Sequence, residues 1–347
     1  MKFPSSIGRF VAGSVAALVF STASAADQAA SLESAERRAR AAIREHQTEA
    51  GYWLTSYTDS PRFTRPTREM NTFLTSCLVD LLEPVAVEAE LAPNLAKARR
   101  HLTAQIEPGG LVRYHGLPDA PTIGTLGVRI TPDSDDTALV WRIAPGPPES
   151  LREALATLHR YRTDEGLYRT WLAPRERFEG IDPGRDPNPP DVGIQMHLLL
   201  FFQKADPQAA RELHASLEKR VRDESLWVYY RMAPLIPILR RGELARAGFP
   251  LRLPAERIQA AAAGQEPWVR TCDLLARFLD RRRPKPSAAE TVAALRSISG
   301  DDFALLRQSP PLLYHNDFSA RVSRFYWSED FGYALWLRLR FENEHRR

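Results

Sequence analysis

Asp133-Ser134-Asp135-Asp136-Thr137 places three carboxylates within four residues, directly ahead of the apolar run Ala138-Leu139-Val140-Trp141. Two chemistries fit that pattern. Asp and Ser are preferred helix caps, and negative charge at a helix N-terminus is favoured by the helix dipole, so the cluster reads first as a helix start. The other chemistry is acid catalysis. Burial and neighbouring carboxylates both raise a carboxyl pKa, while a helix end stabilises the ionised form. A carboxyl kept protonated in that balance is a proton donor, and residue types alone leave both possibilities open.

Other polar residues fall at the starts of apolar segments. Glu69, Asn71 and Thr72 open a helix expected over 72–83, and Asp191 opens one over 191–203. Gln195 lies one turn on from Asp191 and shares its face, whereas His197 lies on another face and reads as a histidine of the core or one that supports the site from behind. Near the C-terminus, Tyr314-His315-Asn316-Asp317 and Tyr326-Trp327-Ser328-Glu329-Asp330 precede the apolar stretch 331–339. The candidate binding residues are therefore Glu69, Asn71, Thr137, Asp191, Gln195, His315, Asp317 and Tyr326. Tyr114, Trp141, Tyr168, Trp171, Trp227 and Tyr229 are aromatics for a cavity wall or, as first expectation, for packing at turns. The loop 182–191 gathers Asp182, Asp186, Asn188 and Asp191. Its oxygens suit calcium, but the spacing matches no calcium loop and a rigid proline turn is expected.

A repeat positions these groups. Gln47, Gly51 and Trp53 set a spacing that recurs as Gln105, Gly109 and Leu111, as Arg162, Gly166 and Tyr168, and as Val221, Ser225 and Trp227. The units start at 47, 105, 162 and 221, a period of 57 to 59 residues that signals a repeat architecture and suffices for two helices and their loops. Segments 31–46, 150–161 and 207–221 are amphipathic, with a capping box expected at Ser150 and Glu153. Segments 72–83 and 191–203 are apolar on most sides, as inner helices must be. Alternation of the two kinds predicts an all-α chain of about six helix hairpins, an outer ring around an inner one. Period-two strand patterns are scarce.

On the Gln47-x-x-x-Gly51-x-Trp53 motif and this period, the chain resembles the terpenoid cyclase and protein prenyltransferase superfamily, whose fold is an (α/α)6 toroid. Asp133-x-Asp135-Asp136-Thr137 is similar to the acid motif of its class II cyclases. The resemblance implies that Asp135 protonates an alkene or epoxide and starts a carbocation cascade, with Asp133 and Asp136 as flanking partners. It implies no cofactor, and the chain has length for one toroid. The zinc site of the prenyltransferase branch, built from Asp, Cys and His, is not found. No basic cluster offers to hold a diphosphate, so the implied substrate is a neutral isoprenoid or other lipid. Two alternatives stand beside this isomerase or lyase. One is a carbohydrate-processing (α/α) barrel using two of Glu69, Asp135 and Asp191 as acid and base. The other is a non-catalytic toroid whose mouth binds a ligand or serves as a scaffold.

Composition bounds the setting. Residues 1–25 combine Lys2 and Arg9 with a short apolar stretch, 11–21, and the small residues Ala23-Ser24-Ala25, which together predict a cleaved export signal. The expected location is periplasmic or secreted, with residues 26–347 as a single domain and no stable membrane span. Loss of Lys2 and Arg9 takes the formal charge from +4 to +2, which gives no basis for nucleic-acid binding. Cys77 and Cys272 either pair in an oxidising compartment or remain two buried thiols.

Overall fold

The computed structural model describes residues 25–116, 129–259, 264–317 and 323–346. The export segment thus lies outside the described residues. Among the described residues, twelve α-helices alternate between two layers. The outer set is α1 (Ala25–His46), α3 (Ala92–Thr103), α5 (Pro148–Arg160), α7 (Pro207–Arg220), the five-residue α9 (Ala255–Gln259) and α11 (Ala288–Gln308), which is kinked at 300–303. The inner set is α2 (Thr72–Leu82), α4 (Ser134–Ile143), α6 (Val192–Ala205), α8 (Leu235–Arg246), α10 (Glu266–Leu279) and α12 (Glu329–Glu344). Each inner helix packs on the next, and α12 packs back on α2, so the inner six close a ring. Burial follows the layers. Ten of the eleven residues of α2 are buried, whereas α5 buries only Ala154 and Leu158.

The expectation of an all-helical chain needs correction. A four-stranded antiparallel sheet, in the order β2-β1-β4-β3, joins the two ends of the chain. β1 (Leu54–Thr58) and β2 (Thr67–Met70) precede α2, while β3 (Leu312–Asn316) and β4 (Arg324–Trp327) precede α12. β1 pairs with β4, Tyr57 opposite Tyr326, so the sheet lies where the last inner helix meets the first. A bulge between Leu312 and Tyr314 re-aims the β3 side chains.

The turns explain the repeat. Gly51 adopts φ +100°, a conformation that disfavours any side chain, and a Cβ there would sit 2.7 Å from the Lys97 carbonyl oxygen. Gln47 Nε2 donates to the carbonyls of Gly51 and Asn94, both at 2.9 Å, and Trp53 Nε1 donates to the Ile43 carbonyl. Truncating so buried an indole costs about 3–5 kcal/mol. In the second unit the matching glycine is Gly110 (φ +76°), not Gly109. Gly110 N–H bonds to Glu107 O as Gly51 N–H bonds to Thr48 O and Gly166 N–H to Thr163 O. The repeat is thus one residue out of register with the spacing from Gln105. Nor does Ser150 cap α5. Pro147 takes that place, with proline again at the first helical position. Cys77 and Cys272 are both buried free thiols.

Candidate functional site

Side-chain caps start four inner helices: Asn71 for α2, Asp133 for α4, Asp191 for α6 and Ser328 for α12. First-turn residues of α2, α4 and α6 (Phe73, Asp135, Asp136 and Ile194) line one cavity of about 280 Å3. The mouth of the ring is hollow. Seven aromatic rings stand in its wall, namely Phe73, Tyr114, Trp171, Tyr229, Tyr230, Tyr314 and Tyr326.

The three aspartates divide the two roles that the sequence left open. Asp133 is the cap, its Oδ1 accepting the Asp136 N–H at 2.7 Å. Asp136 accepts the Thr72 hydroxyl at 2.5 Å, which ties α4 to α2. Asp135 makes neither bond. Its Oδ1 faces His197 Nδ1, and the carboxyl lines the cavity with its side chain 14% exposed. Burial pushes Asp135 up to about 7 against the pull of the Arg240 charge. Burial, with Asp135 alongside, pushes Asp136 up to about 7 against the Thr72 bond. Asp133 is raised well above the usual carboxylate range by burial and by both neighbours.

His197 is fully buried, and burial together with Arg240 and Arg142 holds its pKa well below the ordinary value. The ring is neutral at pH 7. Its Nε2 has no partner among the described residues. An orphaned acceptor is cheaper to bury than an orphaned N–H, so the proton belongs on Nδ1, donated to Asp135. Of the two expected roles for His197, core packing or support behind the site, the fold shows the second, with its ring behind the acid.

A second group of polar residues belongs to the same wall. Glu69, at the end of β2, is 2% exposed and accepts the Tyr114 hydroxyl at 2.6 Å. His115 Nε2 lies 3.4 Å from its other oxygen. Asn71 Nδ2 donates to Tyr114 Oη at 2.8 Å, and the Tyr314 hydroxyl donates to that same oxygen. Tyr314 stacks on Tyr326 with ring centroids 4.3 Å apart.

Several candidates stand elsewhere. Asp191 spends its carboxylate on the backbone N–H groups of Gly193, Val228 and Tyr229, at 2.8 to 3.0 Å, and does not line the cavity. Gln195 clamps the backbone of Tyr168 from both sides, at 2.8 Å each. Thr137 accepts the Val112 N–H at 3.0 Å. His315 bonds to Ser323 and packs on Phe325, and Asp317 lies 3.4 Å from Arg231. These residues hold the ring together rather than face its hollow, because cap and turn groups at inner-helix starts are needed first by the backbone. Of the candidate aromatics, Trp141 and Trp227 bond to turn carbonyls, and Tyr168 packs on Phe202. Two side chains of the loop 182–191 hold Trp171. Asp186 accepts the indole N–H at 3.0 Å, and Asn188 bonds both backbone groups of Trp171. Among the described residues no cluster offers a metal site, and no helix is long and apolar enough to cross a membrane.

No protein-family model and no curated protein matches the sequence. Solved structures do match the fold. The type II terpene cyclase MstE from Scytonema in its apo form has a TM-score of 0.52 at 15% identity, covering 91% of this chain and 99% of that one. A variant of MstE in complex with its substrate geranylgeranyl dihydroxybenzoate has a TM-score of 0.50 at 14% identity, covering 92% and 99%. The chain has a terpenoid cyclase-like fold, predominantly helical with a small sheet.

Proposed function

We propose that this protein is a cyclase of the class II kind, in which Asp135 protonates one double bond or epoxide of a flexible isoprenoid chain. The observation that carries this reading is the Asp135 carboxyl, backed by a neutral imidazole and facing an aromatic hollow. Protonating an alkene demands a carboxylic acid that is un-ionised in the resting site yet leaves a stabilised carboxylate. Burial supplies the first condition. The His197 Nδ1–H and the more distant Arg240 charge supply the second. The proton on the remaining Asp135 oxygen then passes to a carbon of the bound chain. The resulting cation is held among rings whose faces are negative, each worth about 0.5–2 kcal/mol to a cation. Attack by successive double bonds closes rings, and loss of a proton ends the cascade, so the net reaction is an isomerisation. The fold likeness adds that a structural neighbour binds a geranylgeranyl chain.

Incubation of the purified protein with polyprenoids in D2O should give cyclic product carrying one solvent deuterium. Asp135→Asn should lower turnover by a factor of about 10^2–10^4 or more while the circular dichroism spectrum stays unchanged. Absence of cyclisation of any polyprenoid, or full activity in Asp135→Asn, would overturn the reading. We further propose that residues 1–25 direct export, so that the reaction takes place outside the cytoplasm. Fractionation of cells expressing the full chain, with the mature N-terminus read by mass spectrometry, tests this. Cytoplasmic protein retaining Met1 would refute it.

A further inference from the structure

A cascade that begins by giving up a proton must end by placing one, and the wall carrying Glu69 is built to receive it. With Glu69 as a carboxylate, the hydrogen bonds there run one way. Asn71 Oδ1 accepts the Leu74 N–H at 2.8 Å as the cap of α2, which fixes the amide so that Nδ2 points at Tyr114 Oη. Tyr114 Oη accepts the Asn71 amide proton; a carboxylate at Glu69 Oε1, 2.6 Å away, takes the Tyr114 proton and leaves the Tyr314 hydroxyl to donate to Tyr114 Oη. The direction Tyr314 to Tyr114 to Glu69 is set by the carboxylate at its end, which can only accept, and the cap keeps the Asn71 amide donating to its middle. Three parts of the chain converge on it, namely β2, the segment after the second repeat turn, and the bulged strand β3. All three side chains line the cavity that holds Asp135.

We infer that Tyr314, Tyr114 and Glu69 form a one-way proton relay that removes the terminating proton from the cyclised cation. This inference rests on the cyclase reading above. In the step, a C–H bond beside the cationic carbon breaks and its electron pair becomes the new C=C bond. The proton goes to Tyr314 Oη, the Tyr314 hydroxyl proton moves to Tyr114 Oη, and the Tyr114 proton moves to a Glu69 carboxylate oxygen. No free phenolate forms. Burial and the adjacent Glu69 hold the Tyr114 hydroxyl pKa well above its ordinary value, so a phenol that passes its proton on while receiving another is the economical route. Asp135 ends ionised and Glu69 protonated, and exchange with water through the open mouth restores both. A relay of this kind selects the alkene product. Without it the cation waits for water and leaves as an alcohol.

The test is product partition. Wild-type protein turning over a polyprenoid should give predominantly the cyclic alkene. Glu69→Gln and Tyr314→Phe should still consume substrate and incorporate solvent deuterium at the protonation site. Their alcohol-to-alkene ratio should rise at least tenfold, and the effect of the double variant should match that of either single one. Tyr314→Phe keeps the ring stacked on Tyr326 and remains informative if Glu69→Gln folds poorly. An unchanged product ratio in a folded Tyr314→Phe protein that still cyclises substrate overturns the relay and leaves the role of Asp135 intact. Failure of the wild type to cyclise any polyprenoid removes the cyclase reading, and the relay falls with it.

Discussion

Asp135 and Asp80 are aspartates of the same ring, held on opposite sides of the ordinary carboxylate range. Burial works on both carboxyls in the same direction, upward. Asp135, in the first turn of α4, meets only a neutral imidazole and a distant guanidinium, so burial prevails. Asp80, two turns down α2 from Thr72 and roughly 12 Å along the axis, is gripped by Arg142 and Arg240. Those arginines also hold Glu243, at 3.0 and 2.8 Å, and keep Asp80 well below the usual carboxylate range. One end of the ring is therefore an ion cluster that ties α2, α4 and α8 together, and the other is a set of carboxyls with which, among the described residues, no arginine or lysine forms an ion pair. The contrast teaches that an acid is made here by withholding arginine from direct contact with its carboxyl. The cluster beneath also contributes, because its Arg240 and Arg142 keep His197 neutral.

The contrast can be broken most forcefully from the cluster side. Arg240→Met leaves Asp80 and Glu243 buried with one cation fewer, and removal of a partner from such a network costs about 3–5 kcal/mol. Urea unfolding at pH 7 measures it. The same variant removes a charge that pulls Asp135 down, so the alkaline limb of the activity profile, set by Asp135 near 7, should move to higher pH. A loss below about 1 kcal/mol would show that the cluster is not what holds Asp80 ionised.

A smaller effect of opposite sign comes from Asp135→Asn. The folded pKa of Asp135, about 7, lies above the value near 3.9 expected for an unfolded chain. Below about pH 4 both states carry the proton and nothing is at stake. As pH rises from there toward 7, the unfolded state releases its proton while the folded state keeps it, so the wild type loses stability, and above 7 the whole penalty remains. Asn cannot titrate. The variant should thus melt higher than wild type at pH 8, by on the order of 1 kcal/mol or more, with the gap closing toward pH 4. Asp80→Asn should do the reverse, being destabilised at pH 8 and approaching wild type in acid. Two melting curves of the same sign would dissolve the distinction between the two ends of the ring.

The elements legible from sequence were those with local causes. Inner helices show as apolar segments, and turns show as Gly51 and Gly166, because left-handed backbone demands glycine there. Where two glycines stand together, Gly109-Gly110, residue types cannot say which has the positive φ, and the register slipped by one. The sheet escaped notice because its strands are four or five residues long and pair Ser56 with Trp327, far along the chain, through contacts that leave no local pattern. At the site, the start of α4 was legible from its cap residues. The pairing of Asp135 with His197 was not, since a histidine inside an apolar helix looks the same whether or not a carboxyl from another helix meets it. The Tyr114 and Tyr314 contact was hidden for the same reason, with strand β3 and its bulge needed to bring it about.

The finest cut separates Asp135 from its neighbour. The Thr72 hydroxyl donates to Asp136 at 2.5 Å and pulls that carboxyl down, while burial and Asp135 push it up. Thr72→Val keeps the shape of the side chain and removes the donor. Asp136 should lose about 1–2 kcal/mol of stabilisation, the usual cost of stranding a buried acceptor, which appears as a modest fall in the urea midpoint. Asp135 makes no bond to Thr72, and the forces acting on it are burial and Arg240. The alkaline limb of the activity profile should therefore stay near 7 in Thr72→Val although it moves in Arg240→Met. If Thr72→Val shifts that limb as far as Arg240→Met does, the proton is not held on Asp135. It is then shared across Asp133, Asp135 and Asp136, and the withheld arginine governs a cluster instead of a single acid.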